Sequence, residues 1–436
     1  MSKFQIITTA LFIIFIVAGL IAFATFRGKN SQNMLPAISI WGTLPSNLID
    51  QYVNKINISR SEALKINYTE IKEADFDKTF VEALARGQGP DAILIPPDLI
   101  HRHEDKIIPI PYTVFSERDF RNTFIEQSEL YLNKNGILAL PFIVNPLVMY
   151  WNRDSFTNAG IATYPRYWDE FTALGTKLTV KDVNSNIRKS VIALGEFANI
   201  NHAREILGTL FLQSGNPVTY RETSTDGNST IVSSALGDRS YRGSATSLPA
   251  LNFFTKFSNP SNPDYSWNRS LPNSKSSFLS GNLATYFGFA SEINDIKQKN
   301  PNMDFDISPL PQIRGGKYRS TYALMYGFSI VRSAVDTNST YTIISALLAP
   351  ESLKDMIELS YLPPVRRDMI ATGSTDPYLS IFFDSALISK SWLDTDKAES
   401  YMIFQDMVES VTSGKRIPSQ AIQQGSDEFD ISLKKI

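Results

Sequence analysis

From Ala37 onward the chain alternates short apolar runs with amphipathic stretches, and that alternation limits the fold more than any other feature. Ala37–Trp41 reads as a strand, and Pro45–Ile56 as a helix with Leu48, Ile49, Tyr52 and Val53 on one face. Leu64–Tyr68 reads as a second strand. Asp75–Arg86 then places Phe76, Phe80, Ala83 and Leu84 at helical spacing, with Gly87 as its C-cap. Asp91–Ile95 is apolar enough to be a strand buried on both faces. Strand, helix, strand, helix, strand in that order predicts a parallel sheet with right-handed crossovers. Farther on, Asn135-Gly136 marks a hairpin, Leu147–Trp151 a strand, and Asp154–Ala159 and Tyr167–Leu178 helices. Tyr220–Ser247, rich in Ser, Thr, Gly, Asp and Arg, predicts a surface loop or an irregular hairpin.

Ahead of this region, residues Phe4 to Phe26 run for 23 positions without a charge. As a helix they would extend about 34 Å, against roughly 30 Å for a bilayer core. The expectation is a transmembrane helix over 4–26 and a linker over 27–36, with the globular part extracytoplasmic on a single-pass cell-membrane protein. Ala22-Phe23-Ala24 keeps a cleaved signal sequence open as the alternative.

A length of 436 residues suggests two or three domains of about 150 residues. Lys plus Arg number 42 and Asp plus Glu 44, a net charge of -2 that leaves no basic footprint for nucleic acid. With no cysteine and three histidines, thiolate chemistry and a histidine-rich metal centre are not expected, and no cofactor or metal is assigned. No two glycines stand four residues apart, so a Gly-x-Ser-x-Gly elbow cannot occur. Gly87-Gln88-Gly89-Pro90 begins like a phosphate loop, but Pro90 lacks an amide donor and no Lys-Ser/Thr follows; a helix end and turn is the reading. His101-Arg102-His103-Glu104 lacks the second histidine of a zinc helix and reads as a solvated loop. A pair of glycosidase carboxylates stays open, since it needs only spatial proximity.

Four stretches, in order, resemble the extracellular solute-binding proteins of family 1, the sugar-binding receptors of ABC importers. They are Gly87-Gln88-Gly89-Pro90-Asp91-Ala92-Ile93-Leu94; Leu140–Asp154 running into Ala159-Gly160-Ile161 and Pro165–Phe171; Phe278–Tyr286; and Phe305–Pro311. The pattern departs from maltose-type receptors at Ile95, where an aromatic residue is usual, and at Asn145, where an acidic one is.

The resemblance implies an α/β, two-lobed periplasmic-binding-protein-like fold of type II. It implies lobe one at 37–143 and 319–363, and lobe two at 144–318 and 364–436. It implies a receptor, not an enzyme, that binds a small-molecule solute, expected to be a carbohydrate, and delivers it to ABC transporter permease subunits. Trp41, Thr43, Asp98, Asn145, Tyr286, Phe289, Tyr326, Tyr361 and Arg366 are the candidate ligand-binding residues. The proline pair in Tyr361–Asp368 predicts an extended third crossing between lobes. A membrane-anchored glycan hydrolase and a transport-independent sensor of the same fold remain as alternatives.

Overall fold

The computed structural model describes residues 35–60, 63–223, 230–237, 247–394 and 396–434. Numbering the principal strands in chain order, β1 (Ile38–Gly42) pairs in parallel with β2 (Ile66–Glu70) and β3 (Ala92–Ile95). The intervening helices, Ser46–Ser59 and Glu73–Ala85, bury Ile49, Tyr52, Val53 and Ile56, and Phe76, Phe80 and Ala83. These are the faces their 3.6-residue periodicity marks out. All four residues of β3 are buried, as befits a central strand covered on both sides.

Two long strands tie this sheet to a second one. β4 (Leu140–Asn152) is extended and buried along all 13 of its residues. Its first half pairs antiparallel with β8 (Thr321–Val331), whose C-terminal half continues onto β3. Its second half pairs antiparallel with β6 (Leu283–Phe289) and, on the opposite edge, with β7 (Phe305–Ser308). β5 (Ile187–Ile192) extends that second sheet in parallel with β6.

Asn145-Pro146 does not interrupt β4. Pro146 is opposite Ala323 of β8, while Leu147 is already opposite Phe289 of β6. The proline therefore falls where the strand changes partners, which is where an absent amide disturbs a ladder least.

The hairpin near Asn135 forms with its tip one residue earlier, at Lys134-Asn135, because Leu132 pairs with Ile137 and Asn133 with Gly136. Gly136 has φ of 144°, and a Cβ there would stand 2.4 Å from the Ile110 carbonyl oxygen, so glycine is needed in the strand rather than at the tip. Within the Tyr220–Ser247 stretch, Thr219–Thr223 and Thr230–Ser234 pair antiparallel.

Of the stretch Tyr361–Asp368, expected to be extended, Tyr361 caps the preceding helix with φ of 56° and Arg367 opens the next one, so only Leu362–Arg366 lies between helices. Pro364 bridges Ile143, Arg366 bridges Phe124, and the Ile125 amide donates to the Val365 carbonyl at 3.0 Å.

One expectation is corrected. A membrane-spanning helix, and the single-pass location and membrane partnership that rested on it, find no support in the structure: among the described residues no helix is long and apolar enough to cross a membrane. The longest, Lys397–Thr412 and Pro418–Leu433, have 16 residues each, about 24 Å, and keep a polar face. The apolar run Phe4–Phe26 lies outside the described residues, as does most of the linker 27–36.

Sheet packing at β1 leaves no room for a side chain at Gly42. A Cβ would lie 2.5 Å from the Tyr68 hydroxyl and 2.7 Å from the Leu94 carbonyl oxygen. Gly42→Ala is expected to cost about 1–3 kcal/mol by overpacking, measured as a lower urea midpoint at unchanged slope.

Candidate functional site

Parallel strands present their carboxyl ends to the same edge, where open α/β sheets bind ligands. Here β3 ends at Ile95 and the chain turns through Pro96-Pro97 into the short helix Pro97–Arg102. Proline suits that first turn, where its missing amide has no intrahelical acceptor, and Asp98 follows it facing the cleft.

Across from Asp98, the second lobe supplies Arg204, Trp392, Asp394 and Lys397. With Glu73, Tyr322 and Tyr326 these residues surround a cavity of about 30 Å³ at the base of the interlobe cleft. That space holds a water molecule rather than a sugar ring, so the lobes are closed on one another here. Salt bridges run across the gap, Lys397 to Glu73 at 3.7 Å and Arg102 to Asp396 at 3.7 Å. Farther out, a larger cavity of about 1050 Å³ separates the lobes and meets the inner one at Asp394. Arg221 spans it, donating to the Leu132 carbonyl at 2.5 Å, with a guanidinium nitrogen 2.9 Å from His101 Nε2.

Arg204 organises the second-lobe wall. It sits in helix Ala203–Gln213, every residue of which is buried. Its guanidinium bonds to Asp394, to Glu205 at 2.8 Å and to Ser400 Oγ at 2.8 Å, and lies over the Trp392 ring at 4.8 Å. Burial disfavours its charge, but Asp394, Tyr322 and Glu205 more than offset this and hold it protonated. Asp394 and Trp392 are 4% and 5% exposed. Each retains a polar atom without a partner, Asp394 Oδ1 and Trp392 Nε1. Asp98 makes no hydrogen bond or ion pair among the described residues. Burial, then the neighbouring Asp394 and Glu73, push its carboxyl up to about 6.

Of the residues singled out from the sequence, the structure places Asp98 and Tyr326 in this wall. Trp41 is half-buried against the core. Thr43 Oγ1 is buried without a partner, outside either cavity. Asn145 ties β4 to the loop after β6, donating to Ser291 Oγ at 2.9 Å and accepting from the Ser291 amide at 3.1 Å. Tyr286 is 1% exposed and donates to Glu292 at 2.8 Å inside the second lobe. Phe289 packs edge-on against His202 at 4.7 Å. The Tyr361 hydroxyl donates to Asp376 at 2.5 Å, and Arg366 pairs with Asp368 at 2.7 Å.

Arg204, Trp392 and Asp394 were not singled out. Arg204 carried a signal, a single cation in an apolar helical run. The other two come from an irregular connection between Ser389–Lys390 and Lys397–Thr412, where no periodicity marks a residue.

Two sheets joined by β4 and β8, with a cavity between the lobes and at that junction, define a two-lobed binding protein whose lobes close about a solute. The chain belongs to the bacterial extracellular solute-binding protein family, whose model matches residues 61–351. It is a binding protein and not an enzyme. Similar solved structures include a cyclic α-maltosyl-1,6-maltose binding protein from Arthrobacter globiformis, 15% identical with a TM-score of 0.71 over 92% of this chain and 100% of that one. A cyclo/maltodextrin-binding protein complexed with maltotetraose is 14% identical, with a TM-score of 0.70 over 92% and 98%. The mannobiose-bound protein CpMnBP1 is 20% identical, with a TM-score of 0.61 over 90% and 99%. No curated protein matches the chain.

Proposed function

We propose that this protein captures an extracytoplasmic carbohydrate between its lobes and delivers it to the permease of an ABC importer. The observation that carries the reading is the inner cavity. Aromatic rings (Trp392, Tyr326) stand beside polar groups with unmet hydrogen bonds (Asp394 Oδ1, Trp392 Nε1), the combination a sugar's C–H faces and hydroxyls require. Asp98 from the first lobe and Asp394 from the second both line it, so a saccharide admitted by a partial opening of the lobes would contact both and link them. The carbohydrate-bound proteins of similar fold support the same class of solute.

We assign the lobes to 37–143 with 319–363 and to 144–318 with 364–436, a division supported by the partner exchange at Pro146-Leu147. Hinge bending there opens the cavity without breaking either sheet. The remaining ligand-contact candidates, Trp41, Thr43, Asn145, Tyr286, Phe289, Tyr361 and Arg366, stay secondary to the cavity wall in this reading.

Titrating the full chain with malto- and manno-oligosaccharides should raise its unfolding free energy by about 2.7 kcal/mol at a hundredfold the dissociation constant. The radius of gyration in solution scattering should change at the same time, as the lobe separation adjusts to the bound sugar. A panel of saccharides that leaves both unchanged, while peptides or amino acids shift them, would move the solute to another class.

A further inference from the structure

The inner cavity carries an excess of negative charge that its own cations do not balance. Glu73, Asp98 and Asp394 line it against Arg204 and Lys397. Arg204 is already engaged by Asp394 and also by Glu205, while Lys397 reaches Glu73. Asp98 has no cationic partner within salt-bridge distance among the described residues, and Asp394 Oδ1 is buried with no donor. A buried carboxylate oxygen without a donor is costly, and a ligand that brings donors removes that cost. A hydroxyl brings one donor; an ammonium brings three donors and the missing charge.

We propose that the solute is a basic amino sugar, its ammonium group seated between Asp98 and Asp394, an inference that rests on the saccharide reading above. The remaining wall is compatible with this seat. Trp392 and Tyr326 supply ring faces, and Trp392 Nε1 is free to donate to a ring or hydroxyl oxygen. An ammonium can also lie over an aromatic face, an interaction Arg204 makes with Trp392 in this structure.

The groups that face Asp98 determine how pH acts. Burial, then Asp394 and Glu73, raise its carboxyl to about 6, and Lys397 and Arg204 oppose them. Tyr131, Tyr322 and Tyr326 lie near enough to feel its charge, but burial keeps all three phenols neutral. A ligand cation favours the ionised carboxylate, so binding is coupled to loss of the Asp98 proton. Affinity for an amine should therefore fall as pH drops from 7 to 5, where a neutral sugar's should not.

The test is calorimetric titration of the full chain with amino sugars and their di- and trisaccharides, each against its neutral and N-acetylated parent, at pH 7 and pH 5. Amines are expected to bind at least tenfold tighter than their parents at pH 7, with that margin narrowing several-fold at pH 5. In Asp98→Asn, checked for native melting, the tenfold margin of each amine over its own neutral parent should disappear at pH 7, whatever the variant does to the affinity of the pair. Equal or tighter binding of the neutral parents would overturn the amino-sugar inference and leave the saccharide reading standing. Binding by none of these saccharides would overturn both.

Discussion

Arg204→Ala should destabilise the protein by about 3–5 kcal/mol, the cost of leaving a buried carboxylate without its cation. The guanidinium is 3% exposed and holds Asp394, Glu205 and Ser400 at once, so its removal strands two buried acids together. Trp392 also loses the cation over its face. Equilibrium unfolding in guanidinium chloride reads the loss directly. Replacing Arg204 and Asp394 together by apolar residues of similar size should recover part of it, because the desolvation of both charges disappears with them. A single substitution that leaves the midpoint unchanged would mean that water reaches this network and the lobes do not stay closed around it.

The second large effect is acid sensitivity centred on Glu292. Its carboxylate accepts from Phe289 N and Tyr286 OH at 2.8 Å each, and pairs with His202 at 2.8 Å and Lys275 at 2.6 Å. Burial alone would raise its pKa, but the hydrogen bonds and charges of His202 and Lys275 outweigh that and hold it at about 2. Since the folded value lies below the unfolded one, the stabilisation is present above the ordinary carboxylate range and is lost as pH falls toward 2. A shift of that size corresponds to about 3 kcal/mol. Glu292→Gln should be less stable than the parent at pH 7, and the difference should shrink between about pH 5 and pH 2. A constant difference across that range would assign the effect to packing rather than ionisation.

Sequence and structure agree where the information is local. The helices Ser46–Ser59 and Glu73–Ala85 and the buried strand Ala92–Ile95 follow from periodicity alone, because one apolar face is enough to orient a helix or strand. The motif order from Gly87 to Pro311 carried the family resemblance, since each stretch combines turn chemistry with a strand. Where the signal depended on neighbours, local reading failed. Leu147–Trp151 reads as a strand of its own, yet the strand begins at Leu140 and runs on through Asn145-Pro146 by exchanging one partner for another. The hairpin tip moved one residue because Gly136 is required by its approach to Ile110, a residue distant in sequence.

By itself, then, the sequence determined the strand–helix alternation, the absence of thiol chemistry and the two-lobed family. These properties reside in composition, spacing and motif order. Tertiary structure alone decided which side chains share the cleft. Asp98 and Asp394 stand almost 300 residues apart, and no periodicity links them. Only the exchange of β-partners along two long strands brings them to one cavity. Tyr286 and Phe289, aromatic and near a strand end, look equally suited to a ligand; three residues apart on one strand, they point to opposite faces, Tyr286 packing on Tyr150 and Phe278 and Phe289 on His202. A pattern of types tells which residues can bury or bind, while the direction in which each one points depends on what packs against the rest of its strand.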